Sequence, residues 1–232
     1  MRKNTHMVRR SLTWAALGIL IPLAGIAHPQ TGPVIQSTRA MSMPTIDGTA
    51  TANEWPVAAY PVEFRLPRGT VSGTLRTMWD ANTVYLAVDV THAPFANELD
   101  VILDEQANGV LDQGDPAYLA WASGAAQGFH YDARRRGFVQ DRRDSGNDFL
   151  RASRIQGPTR TFEIAIPYDP YDGEDLNRAP AAWGSMGLAL KLEAAGAAGQ
   201  FDTWPTPGTR DPITRSPHLW SLLTFLPSTT PT

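Results

Sequence analysis

From Thr45 onward the chain alternates apolar and polar residues in short runs broken by turn residues, the period-2 pattern of half-buried strands. The run PVEFRL sets Val62, Phe64 and Leu66 on one face and Glu63 and Arg65 on the other. TVSGTLRTMWD passes through the turn residues DAN into TVYLAVDV, which predicts a hairpin. ELDVILD places Leu99, Val101 and Leu103 on one face and Glu98, Asp100, Ile102 and Asp104 on the other. AYLAWA, GFHYD, TFEIAIP, GSMGLALKLEA and HLWSLLTF continue the series, so about ten strands are expected. Only PYDPYDGEDL offers a helical turn. The pattern predicts an all-β chain: an antiparallel two-sheet β-sandwich, jelly-roll-like, with little helix, each strand burying one face between the sheets.

The first 27 residues follow a different rule. Arg2, Lys3, Arg9 and Arg10 precede an apolar run from Leu12 to Leu23, and the small-residue stretch that follows closes at Ala27. That order is a secretory signal peptide, with cleavage expected after Ala27 and a secreted or periplasmic mature chain. The alternative is a retained anchor, but the run is shorter than the roughly 20 residues a spanning helix needs. No membrane contact is expected after cleavage. Residues 28–43 read as an irregular leader, 44–226 as the sandwich, and 227–232 (PSTTPT) as a disordered tail.

Composition narrows the function. The whole chain has 20 basic and 23 acidic residues. Losing the four leader cations leaves 16 basic against 23 acidic, a net charge near −7, which argues against a nucleic-acid partner. There is no cysteine, so an exported chain of this sequence relies on core packing, and on metal, without disulfides.

A metal candidate is DEQANGVLDQGD, residues 104–115. On the twelve-position calcium loop, Asp104, Gln106, Asn108, Asp112 and Asp115 fall where side-chain oxygens bind, and Val110 falls where a carbonyl does. Gly109 stands at the sharp turn. Gln106 and Asp115 depart from the usual residues, and the preceding NELDVILD reads as a strand where an EF-hand has a helix. Structural Ca2+ closing a strand-to-strand connection is the expectation, since three carboxylates folded together repel one another without a cation. The alternative is a solvated polar turn.

Five phrases, in order, resemble the family 9 carbohydrate-binding modules and the wider DOMON-like sandwich group. They are PTIDGTATANEWPVA with Glu54 and Trp55, TMWDANTVYLAVDV with Trp79, Asp80 and Tyr85, ELDVILDEQANGVLDQGD, RTFEIAIPY and SPHLWSLLTF. The resemblance spans Pro44 to Phe225 and implies a sandwich that binds an oligo- or polysaccharide without chemistry, with structural calcium. Sugar hydrolysis, where it accompanies such modules, belongs to the enzymes that carry them. The resemblance also implies that a Trp just before the last strand lines the ligand site, which here is Trp204 in GQFDTWPTPG.

The remaining candidates come from residue chemistry. Trp55, Trp79 and Trp220 lie in framework phrases and are expected in the core, as is Trp121, which alternates with Leu119. Trp183, before a glycine in a loop, is a second ligand candidate. DARRRGFVQDRRDSGNDFLRASR interleaves arginines with aspartates, the pattern of a solvated hairpin; Arg134 or Arg142 are the candidates to grip sugar hydroxyls or a uronic carboxylate with the guanidinium fork. Glu98 and Asp100, at i and i+2 on one strand face about 7 Å apart, have the spacing of an inverting glycosidase pair, but nothing else marks a cleft and no catalytic residue is assigned. The histidines are scattered without zinc spacing. The resemblance to the wider sandwich group also implies an alternative of a different class, a haem-binding electron-transfer subunit of the same fold, in which Met78 and Lys191 would be the iron ligands.

Overall fold

Every alternating run named above forms a strand in the computed structural model, which describes residues 30–91, 96–141, 149–169, 175–177, 184–195, 200–206 and 217–226. The described strands are β1 (Val34–Arg39), β2 (Tyr60–Leu66), β3 (Gly69–Trp79), β4 (Thr83–Thr91) and β5 (Ala96–Asp104). The chain continues with β6 (Pro116–Trp121), β7 (Ala126–Asp132), β8 (Gly137–Gln140) and β9 (Leu150–Gln156). Then come β10 (Thr159–Pro167), β11 (Ser185–Ala194), β12 (Phe201–Trp204) and β13 (Ser221–Phe225). A 3-10 turn at Pro217–Leu219 is the helical element among the described residues. The helical turn expected in PYDPYDGEDL falls largely outside them, as do the signal peptide and the 227–232 tail.

Two layers result. A long sheet runs β8-β7-β6-β5-β11, with β13 beside the first half of β11 and β12 beside the second. A short sheet runs β3-β4-β10-β9, with β2 beside β3. β1 joins the layers by pairing parallel with β13 at one end and with β3 at the other. All other pairings among the described strands are antiparallel, as expected. β1 corrects the reading of residues 28–43 as an irregular leader. Only Ile35 and Ser37 of it turn inward, too short an alternation to read from sequence. The arginine-rich stretch is also divided: its first part is the β7–β8 hairpin of the long sheet, and its end is β9 of the short one.

The core lies between the layers. Phe64, Leu75, Leu86, Val88, Phe162 and Ile164 from the short sheet meet Leu99, Val101, Leu103, Leu188, Leu190 and Leu192 from the long one. The outer faces are treated differently. On the short sheet, Met78, Tyr85, Ala87 and Ala165 are covered by Trp55 and the 40–57 segment. On the long sheet, Ile102, Ala117, Ala189 and Tyr131 are covered at one end by Leu111 and Trp220. The other end of that face is polar.

Glu163 holds the cover on the short sheet. It is fully buried, and its Oε2 accepts backbone N–H groups from Asp47 (2.9 Å), Gly48 (2.6 Å) and Thr49 (3.1 Å). Its Oε1 accepts the Trp55 indole N–H at 2.9 Å. Gly48 adopts φ 86°, and a Cβ there would lie 2.7 Å from Cβ of Arg154, so the turn wrapped round the carboxylate requires glycine. The Ile46-Asp47-Gly48 turn, Trp55 and the FEIAIP strand are thus one structural lock.

Candidate functional site

Register places a charged cluster on the open end of the long sheet. Successive residues of a strand point to opposite faces, so the core-facing Leu190, Leu192, Leu99 and Val101 put Lys191, Glu193, Glu98 and Asp100 outside. The pairings Phe201↔Glu193, Glu193↔Glu98 and Glu98↔Trp121 make one row across four strands. Thr203↔Lys191, Lys191↔Asp100 and Asp100↔Leu119 make the next row. With strands about 4.8 Å apart, Phe201 and Trp121 flank the charges across about 14 Å. Both rings are partly exposed.

Lys191 is the hub. Its Nζ lies 2.5 Å from Asp100 Oδ2, 3.7 Å from Glu98 Oε1 and 3.9 Å from Glu193 Oε2. It also stands 5.1 Å from the centre of the Phe201 ring, within cation–π range. Burial alone would lower Lys191; the charge of Asp100 and the hydrogen bond to it, with Glu98 and Glu193 behind, outweigh that and hold the ammonium above the usual lysine range. Burial pushes the Asp100 carboxyl up to about 7 even though the Lys191 ammonium pulls the other way, and the neighbouring Glu98 adds to the rise. Among the described residues Asp100 Oδ1 is buried without a hydrogen-bond partner.

At the far end of β5 the 104–115 loop folds round two carboxylates. Asp104 Oδ2 accepts from Gly109 N (2.9 Å) and Gln30 Nε2 (3.1 Å), and its Oδ1 accepts from Gln106 N (3.1 Å). Asp115 accepts from Glu105 N (3.2 Å) and Asp112 N (2.6 Å). Asn108 donates its amide to Asp112 Oδ2 at 2.7 Å and accepts from Val110 N at 2.8 Å. Asp104 and Asp115 are fully buried. Burial raises both carboxyls, Asp115 to about 8, with the charge of Asp104 adding to that rise. The donors are all oxygens, which suits a hard cation, but among the described residues no three acidic or histidine side chains converge on one point. Sequence reasoning missed Asp175, Asn177 and Tyr118, which gather near Glu105 of this loop. Glu105 accepts from Asn177 N at 2.8 Å, and the Tyr118 hydroxyl donates to Asp175 at 3.4 Å. They are contributed by separate loops and strands, so no local spacing announces them.

Several expectations are corrected. Trp204 pairs with Leu190 on the inner face of β12 and joins the main core, 7% exposed, so its ring is closed to a ligand. Trp121 goes the other way: Tyr118 and Ala120 take the inward positions of β6, leaving Leu119 and Trp121 outside. Arg134 lies in the β7–β8 turn, where its backbone N–H and that of Arg135 donate to Asp132 Oδ1. β7 is level with Asp100 at Gln127, so the turn lies roughly 17 Å further along the strand, at the opposite end from Trp121. Arg142 and Trp183 fall outside the described residues. Trp55, Trp79 and Trp220 are buried as expected. Met78 lies under the 40–57 cover on the outer face of the short sheet, beside a concavity of about 520 Å3, while Lys191 stands on the outer face of the long one. The whole core separates them, so they cannot ligate one iron.

No protein-family model matches the chain, and no curated protein matches it. Among solved structures it is similar to a family 9 carbohydrate-binding module of Caldicellulosiruptor kristjanssonii in complex with glucose. The TM-score is 0.57 at 15% identity, over 85% of this chain and 99% of that one. A module of the same family and organism in complex with cellotriose gives 0.58 at 15% identity, over 84% and 96%. The fold is that of the family 9 carbohydrate-binding modules. In this family 9 fold the polar end of the long sheet is the one outer face, among the described residues, where charged groups are gathered between two partly exposed aromatic rings.

Proposed function

We propose that this is an exported, non-catalytic carbohydrate-binding protein that holds a sugar chain on the polar end of the long sheet. The observation that carries the reading is the row Phe201, Glu193, Glu98, Trp121 beside Lys191 and Asp100. Aromatic faces suit the C–H surface of a pyranose, and carboxylates suit its hydroxyl donors. Neighbours of the same fold are described in complex with glucose and with cellotriose, which supports a glucan-type ligand. Export is supported by the charged, apolar, small-residue order of residues 1–27. No helix among the described residues is long and apolar enough to cross a membrane. A glycosidase reading of Glu98 and Asp100 is disfavoured because Lys191 engages both. The chain's place in polysaccharide catabolism is then capture of the polymer, with cleavage done by other proteins.

Binding is tested by affinity electrophoresis through soluble β-glucans. Wild-type protein should be retarded, and Trp121→Ala should lose most of the retardation while melting within a few degrees of wild type. Unchanged retardation in Trp121→Ala would remove this face from the reading.

Calcium in the 104–115 loop is part of the proposal. Asp104, Asp112 and Asp115, with the Asn108 and Gln106 amides and the Val110 carbonyl, would hold it, and the ion would relieve the repulsion between the two buried carboxylates. Its role is to fix the connection between β5 and β6, away from the sugar face.

A further inference from the structure

Resting on the sugar-binding reading of the long sheet, we propose that the ligand selected there is a chain carrying protonated amino sugars. Charge is the first reason. Three carboxyl groups, Glu98, Asp100 and Glu193, surround one ammonium, so this end keeps an excess of negative charge even when Asp100 holds its proton. Among the described residues of these strands no other charged side chain projects from this end: β6 offers Leu119 and Trp121, β12 offers Phe201 and Thr203, and β7 offers Gln127.

Donor demand is the second reason. Lys191 occupies Asp100 Oδ2, while Oδ1 is buried with no partner among the described residues. In its ionised form that oxygen only accepts, so a ligand that brings donors satisfies it and favours the ionised carboxylate over the protonated one. A neutral hydroxyl brings one; an ammonium brings three together with the charge the cluster lacks. Uronic chains would add carboxylates to a site already in excess of them. A divalent cation does not fit the centre, because the Lys191 ammonium stands there. Trp121, the outward neighbour of Glu98, offers a ring face that a cation favours.

The test is calorimetric titration of the whole protein with a glucosamine trimer, its N-acetylated form and cellotriose, at low salt and at a mildly acidic pH where the amines carry protons. The glucosamine trimer should bind about tenfold tighter than the other two. The gap should close in high salt and in Glu98→Gln, with Glu193→Gln as the substitute should the first variant fail to fold. Equal or weaker binding of the charged trimer overturns the inference and leaves sugar binding standing. Failure of all three to bind removes the sugar-binding reading and the inference together.

Discussion

Glu163 is buried among four N–H groups, and Lys191 is ringed by three carboxylates; both owe their outward position to strand alternation. What happens next differs. Glu163 lies under a cover and is fully satisfied, which marks it as structural. Glu163→Gln keeps the shape but turns one acceptor into a donor facing other donors, and should cost about 2–4 kcal/mol. Urea denaturation checks this; a loss under about 0.5 kcal/mol, the scatter of surface substitutions, would contradict the lock. Asp100 gives a pH signature. Burial, opposed by Lys191, sets its folded carboxyl at about 7, above the 3.8 of an ordinary aspartate. Between those values the fold keeps a proton that the unfolded chain has released. The stabilisation tied to Asp100 is therefore fully present below 3.8 and lost as pH rises through about 7. Asp100→Asn should flatten that part of the stability profile, and a variant whose profile parallels wild type would show that Asp100 does not titrate there.

At the scale of elements, what was legible depended on run length. ELDVILD is long enough to fix its own faces, and Leu99, Val101 and Leu103 are completely buried as read. FDTW, four residues ending at a proline, reads as loop; taken as a strand, it would have put Phe201 and Thr203 on one face and Trp204 on the other. AYLAWA was misread by one position because its alternating pairs, Leu119 with Trp121 and Tyr118 with Ala120, are both apolar and only cross-strand register separates them. β1 escaped notice because it carries a single buried apolar residue and its pairing is supplied by strands distant in sequence. The 104–115 loop was read from position-by-position chemistry, and Asp104 and Asp115 are indeed brought to its interior. Calcium at a hundred times its dissociation constant would add about 2.7 kcal/mol, or roughly 5–10 °C in Tm for a chain of this size. Differential scanning calorimetry with calcium and then with chelator should show that gap, and Asp115→Asn should abolish it. Identical curves for wild type in the two conditions would remove calcium from the account.

Across the whole molecule, the sequence announced a sandwich but not which face works. Glu98, Asp100 and Lys191 each drew attention separately, the first two for their spacing and the third as a lone cation among apolar residues. Their meeting depends on β11 lying beside β5, which brings Lys191 to Asp100, 91 residues away in the chain, and no local pattern specifies that pairing. Among the described residues apolar caps cover part of each outer face, and this end is polar between Phe201 and Trp121. Binding there requires no rearrangement of the core. The most direct measurement is isothermal titration of wild type and Asp100→Asn with cellotriose. The account predicts saturable binding by wild type and at least a tenfold loss in the variant, with both proteins folded. Absence of binding by wild type, or equal affinity in the two, would contradict it.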